Sequence, residues 1–516
     1  MTKAPHGYVL AGVAIVSGLW LVQTVVRAQA PAQQIVNDAA AALGGRDRIQ
    51  AIRTLLVEGQ GKDFSFGQGA RPDEMGMQSD PWKVTGYKRA YDLTANRSRF
   101  EQARVSLDAF YAGPEAAKSV QGIDGDMVYD VGESGTATRV WAPQAVATRR
   151  VEALRHPLTI VRAALDPAAT LTNARTQGSE RLVDVTVPGG PTLTLAIDST
   201  TKLPTRVVWT TDVALYGDGQ METRFLDYRA VEGIQLPTRF TSKADKFLAA
   251  DIRIRRQALN GDVGNLAAPA NVASATRPGP PPPIAVTVEE VGKGVWYLTG
   301  QTHHSLLVEF SDHLTLVEAP SEARTLAVIA KARELRPNKP LTTLVVTHHH
   351  GDHTGGVRAA VSEGVTTVVA QEGIIAFLQE ILRRPHTIAP DALARKPQPK
   401  PVSFVKVDDE FVVKDSTMAI NLYHVLDSAH ADTNLLVYFP AARVLTDADL
   451  YFPDDTRTVN DMDPQGHATF IHSLLLNINH RKLQIDKMAP IHGKLVPYAR
   501  FQEATLIMAS MLSSLP

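Results

Sequence analysis

The spacing of apolar and polar positions changes character twice along the chain. Over residues 34 to 53 apolar side chains recur at helical intervals: Ile35, Ala39 and Leu43, an interruption at Gly44-Gly45, then Ile49 and Ile52. From Leu55 to about Leu259 the runs are short and alternating, as in Leu193–Ile197, Arg206–Thr210 and Asp251–Arg255. Turn clusters such as Asp198–Lys202, Gly217-Asp218-Gly219 and Glu232-Gly233 separate them. This pattern predicts antiparallel strands with one buried face, and Pro204 and Pro237 are expected at strand starts. Residues 110 to 170 read as polar loops with one helix around Leu158–Leu165. Asn260 to Pro283 loses periodicity and ends in Arg277-Pro-Gly-Pro-Pro-Pro-Pro283, a stretch that favours an extended spacer.

After Ile284 the pattern changes again. Val295–Leu298, Leu306–Phe310 and Leu314–Glu318 read as successive strands, and Ala323, Leu326, Ala327 and Ala330 mark an amphipathic helix. Pro337 and Pro340 stop that helix, and Leu344–Thr347 follows as a buried strand. Alternating strands and helices argue for a layered α/β arrangement. The expected organisation is a mainly antiparallel β domain over 31–260, a linker over 261–283 and an α/β domain over 284–516. Each side of the linker carries its own apolar periodicity, so the two halves are expected to fold separately, with 284–516 soluble and metal-binding alone.

The N-terminus refines the setting. Lys3 precedes an apolar run from Tyr8 to Val26, followed by Arg27-Ala28-Gln29-Ala30, which reads as a secretory signal over residues 1–30. Pro31 would follow a cut after Ala30, which favours Ala28. The run is long for a signal core, so an uncleaved single-span anchor is the rival reading, and membrane contact is expected only through that segment. Either way the bulk of the chain is expected outside the cytoplasm, periplasmic or secreted. Basic and acidic residues number 53 and 54, a net charge of −1, which gives no electrostatic case for nucleic acid. There is no cysteine, so any metal site must be built from histidine and carboxylate.

Fourteen of the sixteen histidines lie at or beyond His303. The densest cluster, His348-His349-His350-Gly351-Asp352-His353, sits directly after the Leu344–Thr347 run and before Thr354-Gly355-Gly356. Residues two apart on an extended chain point the same way, so His348, His350 and Asp352 can converge, with His353 following at a helix start. Imidazole and carboxylate together suit zinc. A solvated, chemically idle histidine-rich turn is the alternative, and the spacing between strand and glycine pair disfavours it. His349 alternates away from that face and reads as structural.

The His-x-His-x-Asp-His pattern at a strand end resembles the signature of the metallo-β-lactamase superfamily. The likeness extends over about the last 230 residues and implies a four-layer αββα sandwich with one or two metals at its open edge. Three later segments match the superfamily's remaining motifs in order: Asp427-Ser-Ala-His430, Val444-Leu-Thr-Asp447-Ala-Asp449-Leu450 and Met488-Ala-Pro-Ile-His492-Gly493. The resemblance implies that His348, His350 and His430 hold one zinc, that Asp352, His353 and His492 hold a second, and that Asp449 bridges them. Asp447 has the same parity as Asp449 on an extended chain, but Asp449 lies nearer the loop and is expected to be the bridge. Glu318 stands where the superfamily commonly has an aspartate supporting a ligand. His303 and His304 fall in a hairpin loop near the expected mouth, where a substrate contact is one reading.

Over about residues 34 to 260, Ile197-Asp198, Leu203-Pro204, Phe225-x-Asp227-Tyr228 and Gly233-Ile-x-Leu-Pro237 resemble the curved half-barrel of periplasmic lipoprotein-carrier-like domains. That likeness implies a concave sheet able to hold an apolar ligand. A scaffold that packs against its neighbour is the alternative.

The expected function is therefore a binuclear zinc hydrolase of a small ester, lactone, thioester or amide. Two zinc ions would lower the pKa of a shared water to near neutral, and the hydroxide would attack the carbonyl. Asp352 is the expected catalytic residue, orienting the nucleophile. Two readings compete: a mononuclear iron oxygenase of the same superfamily, and a carrier of a lipid-like ligand whose metal domain is ancillary.

Overall fold

In the computed structural model the described residues are 31–64, 66–73, 81–106, 117–398, 400–453 and 466–513. The expected signal or anchor over residues 1–30 lies outside them. Among the described residues no helix is long and apolar enough to cross a membrane.

The N-terminal region builds one sheet with thirteen strands among the described residues. Almost every strand pairs antiparallel with its neighbours in sequence, and the first, Thr54–Phe64, also pairs with the last, Phe247–Leu259. The apolar face of this sheet is covered by the chain's own helices. Residues 31–43 form a helix that ends at Gly44-Gly45, and Arg46–Ala51 resumes it. Ile35, Val36, Ala39 and Leu43 from it, with Leu158, Ile160 and Val161 of helix Pro157–Ala164, are buried against Val183, Leu195, Val207 and Phe225 of the sheet.

Two sequence expectations change here. Residues 110–170 hold three strands, Ala117–Asp124, Met127–Val131 and Ala137–Arg139, and a second helix, Pro143–Ala153. Pro204 opens its strand as expected, but Pro237 lies inside Ile234–Ala244. It is tolerated because pairing with Phe247–Leu259 begins only at Arg239, so the missing N–H breaks no ladder bond on that side.

The C-terminal region is the four-layer αββα sandwich. Seven strands run from Thr287–Gly292 to Ser403–Val407, antiparallel at first and parallel from Leu314–Val317 onward. A six-stranded sheet from Glu410–Lys414 to Val496–Pro497 faces it. Tyr297, Leu306 and Val308 meet Leu422, Leu435 and Val437 between the two sheets. On the second sheet's outer face, Leu436, Tyr438 and Leu445 pack against Phe470, Leu474 and Phe501 of helices Gly466–Arg481 and Tyr498–Ser513. The first sheet's outer face takes helices Glu322–Leu335 and Ile375–Arg383.

That last layer is not purely C-terminal. Val213, Tyr216, Ala244 and Phe247 are buried in the same apolar cluster as Leu316, Leu344, Phe377 and Ile381, with Phe66 and Leu215 packed on its edge. All six of these N-terminal residues sit at the tips of hairpins. Polar contacts ring the cluster: Arg384 to Asp245 at 2.6 Å, Lys246 to Glu380 at 3.1 Å, and Thr387 N–H to the Asp218 carboxylate at 2.9 Å. The two halves therefore share a core. The segment expected to be a linker is also partly docked, since Leu266 packs on Leu56 and Ala90, and Val272 on Tyr129 and Ala137.

Candidate metal centre

Every strand that feeds the site ends at the same edge of the sandwich. Leu341–Val345 lies between two parallel neighbours and is followed by Val346 and Thr347, both fully buried. It delivers His348 and His350, after which one helical turn, Gly351–Thr354, presents Asp352 and His353. The glycine pair beyond it permits close packing. A Cβ on Gly356 would lie 2.0 Å from Thr325 Oγ1 and 2.8 Å from the Ser321 carbonyl, so no larger residue fits against helix Glu322–Leu335. His430 comes from the loop before Leu435–Phe439, Asp449 from beyond Val444–Thr446, and His492 from beyond Lys487–Met488.

The structure brings these side chains into two groups. One is His348, His350, His430 and Asp449; the other is Asp352, His353, His492 and His303, with one donor atom of each residue within 4.8 Å of the others in its group. Asp449 lies where the groups meet. Its Oδ2 is 3.0 Å from both His353 Nε2 and His430 Nε2 and 3.4 Å from His348 Nε2, and its Oδ1 is 2.8 Å from His492 Nε2. His303 Nε2 is 3.1 Å from Asp352 Oδ2, so the hairpin-loop histidine read from sequence as a substrate contact joins the donor set. Its neighbour His304 turns inward instead, with Nε2 on the Gly493 carbonyl at 2.7 Å, and burial pushes its pKa down to about 4.

The donor set fits a metal. His350 Nδ1 is buried without a hydrogen-bond partner, which is costly unless something else meets its lone pair, and Asp449 is ringed by four imidazoles. His348 Nε2 and His430 Nε2 approach to 3.2 Å. The opposite ring nitrogens are held: His353 Nδ1 by Glu318 Oε2 at 2.7 Å, His492 Nδ1 by the Thr302 carbonyl at 3.0 Å and His348 Nδ1 by Thr347 Oγ1 at 3.2 Å. Metal-bound histidines are normally oriented in this way.

Electrostatics divide the histidines of the set. Burial, reinforced by neighbouring rings, pushes the pKa values of His348 and His350 well below the usual histidine range, the neutral state that coordination requires. Burial would lower His353 as well, but Asp449 and Glu318 outweigh it and raise its pKa well above that range. Burial would raise Asp449 and Asp352; His353 and its neighbours pull Asp449 down instead, and the His303 hydrogen bond does the same for Asp352. Asp447 differs: it is fully buried, its Oδ1 accepts from Tyr451 N–H at 2.9 Å, and burial pushes its pKa up to about 7. It joins neither donor group.

Two of these carboxylates sit on strained backbone. Asp449 has φ of 65° and Glu318 φ of 75°, the left-handed region that costs a non-glycine residue energy. Glu318 is fully buried, and besides His353 it accepts Thr347 N–H at 3.1 Å. Its arm, longer than that of the aspartate usual there, thus reaches the ligand histidine from an unusual backbone conformation. His349 is buried outside the donor groups, bonded to Thr433 Oγ1 and the Gly69 carbonyl at 2.8 Å each.

Residues 298–485 match the family model of the metallo-beta-lactamase superfamily, and they form a domain of that superfamily. Among solved structures, a search returned the metallo-β-lactamase FIM-1 from Pseudomonas aeruginosa in its mono-zinc form, at 20% identity and a TM-score of 0.33, covering 46% of this chain and 99% of that one. It also returned a metallo-β-lactamase from Pontibacter korlensis, at 20% identity and a TM-score of 0.32, covering 44% and 99%. One from Hirschia baltica, at 19% identity and a TM-score of 0.31, covers 43% and 97%. No curated protein sequence matches the chain.

Proposed function

We propose that this metallo-β-lactamase domain works as a binuclear zinc hydrolase on a small ester, lactone, thioester or amide. The observation that carries the reading is Asp449, whose carboxylate contacts histidines of both donor groups. His348, His350 and His430 would hold one zinc, Asp352, His353 and His492 the other, with Asp449 between them and His303 within reach of the second. Zinc bound there would polarise the scissile carbonyl and make a coordinated water acidic enough to react near neutral pH. Asp352, its side chain 40% exposed, is placed to orient that water and to receive its proton at a carboxylate oxygen. Glu318 holds His353 with Nε2 free to ligate, and Thr302 does the same for His492. We further propose that the chain is exported, on the strength of its N-terminal apolar run.

A metal-dependent hydrolase is the general reading that domain and donors support. An iron oxygenase would use the same residues, so metal analysis of aerobically purified protein separates the two. The carrier reading gains little, because the sheet's apolar face is occupied by helices. Cavities of about 470 and 290 Å³ in that domain carry charged residues among their apolar ones, Arg97, Arg150 and Arg162 in the first and Asp63, Arg89 and Glu152 in the second. The decisive experiment is a panel of lactone, ester, thioester and β-lactam substrates, run with native, chelator-stripped and zinc-reconstituted protein. Turnover should vanish on stripping and return with zinc. Full activity after exhaustive metal removal would overturn the mechanism.

A further inference from the structure

We infer that residues Gly67–Ala70 of the N-terminal domain are a working part of the metal centre, with Gln68 and the Gly69 carbonyl as positioning groups for Asp352 and His350. The inference rests on reading the site as a metal centre. These residues belong to the connection between strands Thr54–Phe64 and Pro81–Asp92, far outside the segment that matches the superfamily.

Four consecutive residues each make a contact there. The Gly67 carbonyl accepts Gly351 N–H at 3.1 Å, and Gln68 Nε2 donates to Asp352 Oδ1 at 2.9 Å. The Gly69 carbonyl lies 2.9 Å from His350 Nε2 and 2.8 Å from His349 Nε2. The Ala70 carbonyl accepts Asp432 N–H at 2.9 Å. The strap thus ties the loop that carries His348 to His353 to the loop that carries His430.

Its chemistry is specific. A carbonyl can only accept, so the His350 proton must sit on Nε2. A neutral ring then presents its lone pair from Nδ1, the atom that is buried and lacks a hydrogen-bond partner, and His350 belongs to the donor group with His348, His430 and Asp449. Asp352 is held from both sides, Oδ1 by Gln68 and Oδ2 by His303, which fixes the plane of its carboxylate. Gly67 has φ of 85°, which a side chain would oppose, and Phe66 anchors the strap edge-on to Tyr216 and Phe247, with ring centroids 5.8 and 5.7 Å away.

The test uses the full chain. Zinc affinity is measured by competition with a chromophoric chelator for wild type, Gln68→Ala and Gly67→Val, and the unfolding of each metal-free protein is measured separately. Gln68→Ala should weaken zinc binding about 10-fold, and Gly67→Val, which displaces the carbonyls, about 10- to 100-fold. The visible spectrum of the cobalt-loaded Gln68→Ala protein should shift, because the Asp352 carboxylate is then held on one side only, by His303. Reduced metal-free stability with unchanged zinc affinity and an unchanged cobalt spectrum would overturn the inference and leave the strap a purely structural contact. If Gly67→Val does not fold, Gln68→Ala alone decides. Wild type that takes up no zinc would instead overturn the metal-centre reading itself, and the inference with it.

Discussion

Replacing Phe247 by alanine tests whether the two halves of the chain are one cooperative structure. Phe247 is 3% exposed and lies in the apolar cluster that spans both halves, edge-on to Phe66 and near Tyr216, with ring centroids 5.7 and 5.8 Å away. Deleting a buried phenylalanine side chain costs about 3–5 kcal/mol, through lost transfer energy and the cavity left behind. Typical domains have only about 5–15 kcal/mol in total. The same arithmetic applies to cutting the chain. A fragment of residues 284–516 lacks Val213, Tyr216 and Phe247 and so uncovers apolar surface of its own cluster, at about 25 cal/mol for each Å² returned to water. The fragment should therefore be molten or aggregation-prone, contrary to the independent folding expected from periodicity alone. Urea unfolding of the full chain should move by at least 3 kcal/mol in Phe247→Ala, about the lower end of that range. The fragment should lack a near-ultraviolet circular dichroism signal. A shift below about 1 kcal/mol, or a fragment that unfolds cooperatively, would refute the argument, because a buried aromatic of this size cannot be removed from a real core at so small a cost.

Two further outcomes are expected. Asp449→Ala should lose zinc on dialysis and turn over little substrate, whereas Asp447→Ala should keep most of its metal, with affinity lowered at most about 10- to 100-fold, because only Asp449 touches both donor groups; the reverse order in a side-by-side metal assay would move the bridge to Asp447. Acid should weaken the N-terminal domain through His156, whose Nδ1 accepts Leu158 N–H at 3.2 Å and whose Nε2 meets Gln257 Oε1 at 3.1 Å. Burial lowers its pKa from 6.5 to about 4, so below 6.5 the unfolded chain binds the extra proton and stability falls with pH, by about 2 kcal/mol at pH 5 relative to pH 7. His156→Asn, which retains a cap acceptor, should flatten that dependence, and equal slopes for variant and wild type would remove His156 from the account.

How much of this was legible in the sequence depends on how far apart the contacting residues lie. His348, His350, Asp352 and His353 fall within six residues of one another at a strand end, so local geometry alone makes them converge. His430, Asp449 and His492 could be placed only by their order in a resemblance, since no short-range rule connects three separate strand ends. His303 reaches Asp352 because the hairpin between Val295–Thr299 and Ser305–Glu309 folds over the site, a contact that a lone histidine in a loop does not announce. Glu318 was hard to read because its reach depends on a φ of 75°, which no propensity favours for glutamate. Helix Pro143–Ala153 escaped notice because it is weakly amphipathic, with Val151 its one buried residue. The strap and the shared core had a signal of another kind. Turn tips normally carry glycine, asparagine, aspartate, proline or serine, which suit solvent and unusual backbone angles. Here three tips of the N-terminal sheet carry Phe66, Leu215-Tyr216 and Phe247 instead. Large apolar side chains at tips are expensive to leave in water, so their presence implies that the tips are covered. The partner that covers them is the C-terminal sandwich, and the same docking brings Gln68 and Gly69 to the metal ligands.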